Sequence, residues 1–335
     1  MSVYIIIVYL STDTGKKASF FMRDRRFSID RDRFRQNFLP VLTALIWGTA
    51  FPMQSMGANY LSAFTFNAAR SIPAFIFLLM LCLVRRKVQY GSMGSLFRRG
   101  AGEWKKLLAA GGICGTVLGV STFFQQRGLE TTSSGKAAFI TALYIVIVPL
   151  AERILGRRTP GQIWFSVCLA VGGLYFLCVR DEFSFAPGDL DILICAFCFS
   201  VQILTVDYFS TRLDGVELSC MQFLVMTLFS LCGGMVSGES VTWEAVRAAL
   251  VPILYCGIFS SGIAYTLQII AQKGANPAVV SLLMSTESVC GVLAGAVILR
   301  EHLSGREYLG CVLMFTAVIC AQIPRREGVP EKSPA

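Results

Sequence analysis

Glu287 lies in an apolar run from 277 to 298, ten residues after Pro277 and eleven before Ile298, so its short side chain reaches neither surface of a bilayer. An ionisable group at that depth costs about 2.5 to 3.5 kcal/mol on insertion scales and needs a partner or a cavity. Two chemistries suit it: exchange of a coupling proton, or neutralisation of a cationic group on a substrate. Arg70 lies about a third of the way into another apolar run, 63 to 84, where its long stem can reach the interface. A structural ion pair or polar clamp competes with a substrate or proton role for both residues. Asn67 stands three residues before Arg70 and shares a polar stripe with it, and Pro73 frees a backbone carbonyl nearby. In the run from 248 to 270, Ser261, Tyr265 and Gln268 follow spacings of four and three, which places them on one face of an α-helix. Such a face can hydrogen-bond a substrate or hold helices together, the latter worth about 0.6 kcal/mol per contact. Trp47, beside Gly48 and upstream of Pro52, reads either as a pocket wall or as a belt residue at the membrane interface. Gln125 and Tyr144 are weaker polar candidates of the same sort. Gly291 and Gly295 follow Glu287 by four and eight residues, so the carboxylate is expected to face a tightly packed neighbour or a cavity.

Other chemistries lack their signatures. There is no GxxxxGK[ST] phosphate loop, no HExxH and no GxSxG elbow, and His302 is the single histidine, so no catalytic residue, metal or cofactor is expected. Cys195 and Cys198 have metal-ligand spacing but no second pair to complete four ligands. All 12 cysteines fall inside or at the edge of apolar runs and read as reduced packing residues.

The elements that position these residues follow from composition. The chain has 335 residues, 54% hydrophobic and only 15% charged, with a mean hydropathy of +0.61. A soluble domain carries roughly 25% charged residues, so this is an all-α polytopic membrane protein. Ten apolar segments, near 38–57, 63–84, 107–126, 134–152, 161–179, 188–208, 217–237, 248–270, 277–298 and 306–323, are each about long enough to cross a bilayer. The net charge of +9 does not mark a nucleic-acid partner, because the basic residues lie between apolar segments. Lysine and arginine crowd the arm before residue 36, the 85–106 connection and the 153–158 connection, so both termini are expected in the cytoplasm. Residues 1–21 fit neither a signal peptide nor a spanning helix, and Met22 is a candidate start. Sliding the chain on itself by 144 residues superimposes two hydropathy profiles, pairing Leu155 with Leu299 and Gly161 with Gly305. Five spans per half is an odd number, so the halves are expected as two inverted five-helix repeats, 37–180 and 187–323, flanked by a cytoplasmic arm (1–36) and tail (324–335). Secondary transporters built this way bind substrate near the midplane, at the repeat interface.

Several stretches carry a resemblance: LTALIWGTAF, FTFNAAR, QQRGLETTSSGKAAFITALYIVIVPL, GIFSSGIAYTLQIIAQKGANPA, STESV and ILREHLSGREYLG. Taken in that order, they resemble the EamA-type transporters of the drug/metabolite transporter superfamily over about 38–323. The resemblance implies a ten-helix inverted-repeat carrier in the cell (plasma) membrane that moves small polar or amphipathic metabolites, commonly outward and without ATP. Two departures stand out. The family's usual Glu-Pro in the ninth span is Glu287-Ser288 here, which removes a proline kink and leaves the local backbone bend open. Arg157 replaces an acidic residue after the fourth span while Glu301 keeps its second-half counterpart, so a gate pairing those two loops symmetrically is not expected.

The function expected is secondary transport of a small-molecule substrate such as an amino acid or related compound. A non-transporting membrane receptor or assembly subunit is the alternative, weakened by the lack of a soluble input or output domain between the spans. The lipid bilayer is the expected surrounding, with a coupling proton and a homodimeric partner left open.

Overall fold

In lipid, a backbone that is not hydrogen-bonded within the protein has no water to turn to, so uninterrupted apolar runs resolve into helices. The computed structural model describes residues 31–90, 100–132, 134–157, 159–178, 186–291, 293 and 304–323, and among these there are helices and turns but no strand. The basic arm up to residue 30, the tail after 323, Gly295, Glu301 and His302 lie outside the described residues. In chain order the helices are α1 (Arg31–Ala58), α2 (Ala63–Tyr90), α3 (Ala101–Gly128), α4 (Ser134–Thr141), α5 (Tyr144–Ile154), α6 (Gly161–Cys178), α7 (Pro187–Ser210), α8 (Gly215–Val236), α9 (Trp243–Ala248) and α10 (Leu250–Leu254). A π-helical stretch (Tyr255–Ala264) then leads into α11 (Tyr265–Gln272), followed by α12 (Pro277–Met284) and α13 (Gly305–Gln322). Among the described residues six helical segments are long and apolar enough to cross a bilayer, and Gly161–Phe176 is a shorter apolar helix. Large apolar side chains such as Leu45, Ile76, Phe165, Phe197, Leu228 and Ile319 stay exposed on the outside, as a lipid-facing surface requires. The chain is therefore an all-α polytopic membrane protein.

Two apolar runs are not continuous helices. The fourth breaks at Ala142 and Leu143, where Leu143, Ile145 and Val146 donate to carbonyls three residues back. The ninth breaks at Ser285 and Thr286, after which residues 287–291 are helical again. The run is thus interrupted without a proline. The cause of the interruption is visible: the Ser285 and Thr286 hydroxyls donate to the Leu282 and Leu283 carbonyls, and the Thr286 and Ser288 amides also bond three residues back.

Packing partners recur between the two halves. α2 packs on the π-helical stretch as α8 packs on α3, α1 packs on α11 and the π-helical stretch as α7 packs on α3, and α1 contacts α12 as α7 contacts α4 and α5. α6 and α13 pack on each other. The charged residues sit at the helix ends. Arg85 pairs with Asp214 at 2.9 Å, Arg86 with Glu217 at 2.5 Å and Arg157 with Asp207 at 2.8 Å, while Arg127 pairs with Asp191 and Lys136 with Asp189 at the opposite end of α7. Asp214 also caps α8, accepting from the Val216 and Glu217 amides. Burial opposes its charged form, and the Arg85 guanidinium with those two amides outweighs burial and holds the carboxyl below the usual carboxylate range.

Candidate functional site

The two helix breaks face each other across the middle of the bundle. Tyr144 is the first residue of α5 and Glu287 the first helical residue after the ninth-run break, and the Tyr144 hydroxyl donates to Glu287 Oε1 at 3.2 Å. Beside them lies a cavity lined by Trp47, Ala50, Phe51, Gln54, Arg70, Gln125, Thr141, Tyr144, Phe199, Gln202, Ile203, Ser260, Tyr265, Gln268, Met284 and Glu287. Its volume is about 30 Å³. At roughly 10 to 15 Å³ per water on that measure it holds about two waters, so admitting a metabolite requires the lining helices to move apart.

Each wall follows from helical periodicity. Trp47, Ala50, Phe51 and Gln54 lie at intervals of three and four along α1, and Phe199, Gln202 and Ile203 do the same on α7. Trp47 is a pocket wall and not a belt residue: its ring meets Tyr265 at 4.7 Å between centroids, and its Nε1 donates to the Ser260 carbonyl at 3.4 Å. Gly48 lets α1 approach the ninth run, since a Cβ there would stand 2.4 Å from the Glu287 carbonyl and 2.7 Å from the Gly291 amide nitrogen. This close crossing packs the backbone beside Glu287 tightly against α1, with Gly291 part of the contact.

Arg70, Gln125, Tyr144, Tyr265, Gln268 and Glu287 join Trp47 in the cavity wall. Two placements left open by type and spacing are visible, and a third differs from the reading. Arg70 does not extend to the interface; it is 1% exposed, with Nη1 donating to Gln54 Oε1 at 2.9 Å, because α8 and the π-helical stretch pack against its helix. No ion pair joins Arg70 to Glu287 among the described residues, although both line the cavity. Ser261 does not share the cavity face with Tyr265 and Gln268. The π-helical stretch bonds five residues apart, so Ser260, five before Tyr265, takes that place, and the Ser261 hydroxyl is buried without a partner. Asn67 is fully buried outside the cavity, and neither of its side-chain polar atoms has a partner.

Gln54, Thr141, Gln202 and Ser260 were missing from the residues chosen by type and spacing. Gln54 lies seven after Trp47 on the same helical face, and Gln202 is a lone amide midway along an apolar helix, so both carried a readable signal. Gln268 Nε2 donates to Gln202 Oε1 at 3.1 Å, which leaves Gln268 Oε1, Gln202 Nε2 and Thr141 Oγ1 without protein partners around the cavity. These spare atoms, the Gln125 amide, the Tyr265 hydroxyl, one guanidinium and one carboxyl are among the groups a small polar ligand would meet there.

Comparison with known proteins bears on what the cavity serves. The sequence model of the EamA-like transporter family matches twice, over residues 36–179 and 186–322. A protein of Archaeoglobus fulgidus described as an uncharacterized transporter is 26% identical over 287 residues, covering 84% of each chain. An uncharacterized transporter of Synechocystis is 23% identical over 302 residues, covering 84% of this chain and 87% of that one. A solved crystal structure superimposes with a TM-score of 0.67 over 86% of this chain and 96% of its own, at 19% identity, a likeness of fold.

Proposed function

Because the chain belongs to the EamA-like transporter family, we propose that it is a secondary exporter of a small polar or amphipathic metabolite, such as an amino acid or related compound. It works by alternating access between two inverted five-helix repeats, in the plasma membrane with both termini cytoplasmic. The recurrence of packing partners between the halves, the 144-residue shift and the double family match support the repeat architecture. Discontinuous helices at a repeat interface are where such carriers hold their substrates, and both breaks of this chain border the same cavity.

The observation that carries the reading is Glu287: a carboxyl 3% exposed, in the wall of a central cavity, held by Tyr144 from the other broken helix and in no ion pair with Arg70. A group so placed can take up and release a proton as the cavity alternates between wet and dry sides, or can neutralise a cationic group of the cargo. A thermal-shift screen against amino acids, nucleosides, sugars and organic cations identifies a ligand by the stability it adds to the folded state. Uptake of that ligand into proteoliposomes then tests the role. Glu287→Gln, nearly isosteric, is expected to abolish uptake driven by a pH gradient while the protein remains folded. Wild-type uptake by this variant would return Glu287 to a structural role, and a stabilising ligand that is never carried would favour the non-transporting receptor.

A further inference from the structure

Buried and half-buried basic side chains near the helix ends sit against carboxylates: Arg85 on Asp214, Arg86 on Glu217, Lys136 on Asp189. Arg70 does not. Its Nη1 is used by Gln54, its guanidinium carbon lies 5.8 Å from the centre of the Phe66 ring, and its Nε and Nη2 are buried with no nitrogen or oxygen partner, the weakly accepting Cys256 thiol being the other polar group beside the guanidinium. Those two nitrogens are not an arbitrary pair. In the planar guanidinium Nε–H and Nη2–H lie along one edge and point the same way, forming the fork that matches the two oxygens of a carboxylate. An unmatched fork at 1% exposure is costly to keep, and a ligand that completes it recovers that cost on binding.

We infer that the Nε and Nη2 edge of Arg70 seats a carboxylate of the transported compound, so that the substrates are molecules carrying one carboxylate group. The inference rests on the transporter reading above and deepens it. Gln54 supports the seat by fixing the guanidinium through Nη1, leaving the other edge free. A phosphate dianion or a dicarboxylate fits less well, because among the described residues Arg70 is the one cationic side chain in the cavity wall. A purely cationic substrate would meet Arg70 with like charge. The Trp47, Phe51 and Tyr265 rings give part of the wall an apolar face, where a low local dielectric strengthens the pairing.

The test uses the full chain in detergent and matched probes: acetate, lactate, benzoate and leucine, each beside its primary amide. At millimolar concentration at least one carboxylate is expected to raise the melting temperature of the wild type while its amide does not. Arg70→Lys keeps the charge and loses the fork, so its affinity for that carboxylate is expected to fall roughly tenfold to a hundredfold. Equal stabilisation by acid and amide, wild-type affinity in Arg70→Lys, or no binding of any carboxylate in the panel overturns the inference. Should Arg70→Lys fail to fold, the comparison of acid with amide on the wild type decides alone. Counterflow in proteoliposomes separates this inference from its premise. Carriage of a compound without a carboxylate leaves transport standing and removes the carboxylate seat. A carboxylate bound through Arg70 but not carried does the reverse.

Discussion

Tyr265 is fixed by two rings, Trp47 at 4.7 Å and Phe223 at 5.7 Å between centroids, so its packing resides in the phenyl part and its hydroxyl remains for the cavity. Tyr265→Phe is therefore expected to change stability by no more than about 0.5 kcal/mol, the range of a substitution that leaves packing intact, and to weaken substrate affinity several-fold in a binding titration. A large fall in melting temperature would assign the hydroxyl to the fold. Gln268 gives no such clean separation, because its amide holds Gln202, and Gln268→Ala would leave that partner buried and unpaired. At this scale the sequence is informative about which polar residues matter and less so about where they point. Glu287 and Tyr144 announce themselves by standing in apolar runs. Ser261 and Ser260 are chemically identical neighbours, and only the change from a four-residue to a five-residue hydrogen-bond period decides between them. Arg70 can extend to the interface or fold inward, and the neighbouring helices that settle its direction are remote in sequence.

Among the elements, the two interrupted helices and the crossing of α1 do most to shape the site. No proline follows Glu287, and the structure interrupts the run with hydroxyls that capture carbonyls three residues back, a device available to any run rich in serine and threonine such as MSTES. The crossing is held by Gly48, where a Cβ would fall 2.4 Å from backbone oxygen and 2.8 Å from the Cys290 Cβ, neither of which a rotamer change can move. Gly48→Ala must push α1 away from residues 287–291. It is expected to cost about 1 to 3 kcal/mol, as overpacking does elsewhere, seen as a lower midpoint in thermal or denaturant unfolding in detergent. An unchanged midpoint would show that the two helices separate there without cost, so that the closed cavity is not held shut by this contact. Glycines at spacing four were legible as packing residues, whereas the partner of Gly48 was not, since nothing in a single sequence pairs α1 with the ninth run.

For the whole molecule, α7 serves as a ruler. Asp189 and Asp191 in its first turns receive Lys136 and Arg127, and Asp207 near its last turn receives Arg157. Eighteen residues separate Asp189 from Asp207, about 27 Å along an α-helix, close to the roughly 30 Å of a hydrocarbon core. The two sets of ion pairs thus mark the two membrane faces, with the cavity between them. Asp207 and Asp214 flank the turn between α7 and α8, so Arg157 and Arg85 belong to one face, and Arg127 and Lys136 to the other. The first face also carries Arg86 and Lys87, and it is the face proposed above, on charge bias, to be cytoplasmic. α3 runs from one face to the other between exposed Gly100 and exposed Glu130, and these two positions report orientation without disturbing a buried contact. In a background with the native cysteines replaced, Glu130→Cys is expected to react with a membrane-impermeant maleimide on intact cells, and Gly100→Cys only after permeabilisation. The opposite pattern would invert the protein in the membrane and turn the proposed export into uptake. Labelling of both positions from outside would mean that α3 does not cross, and would remove the bundle on which the transport reading stands.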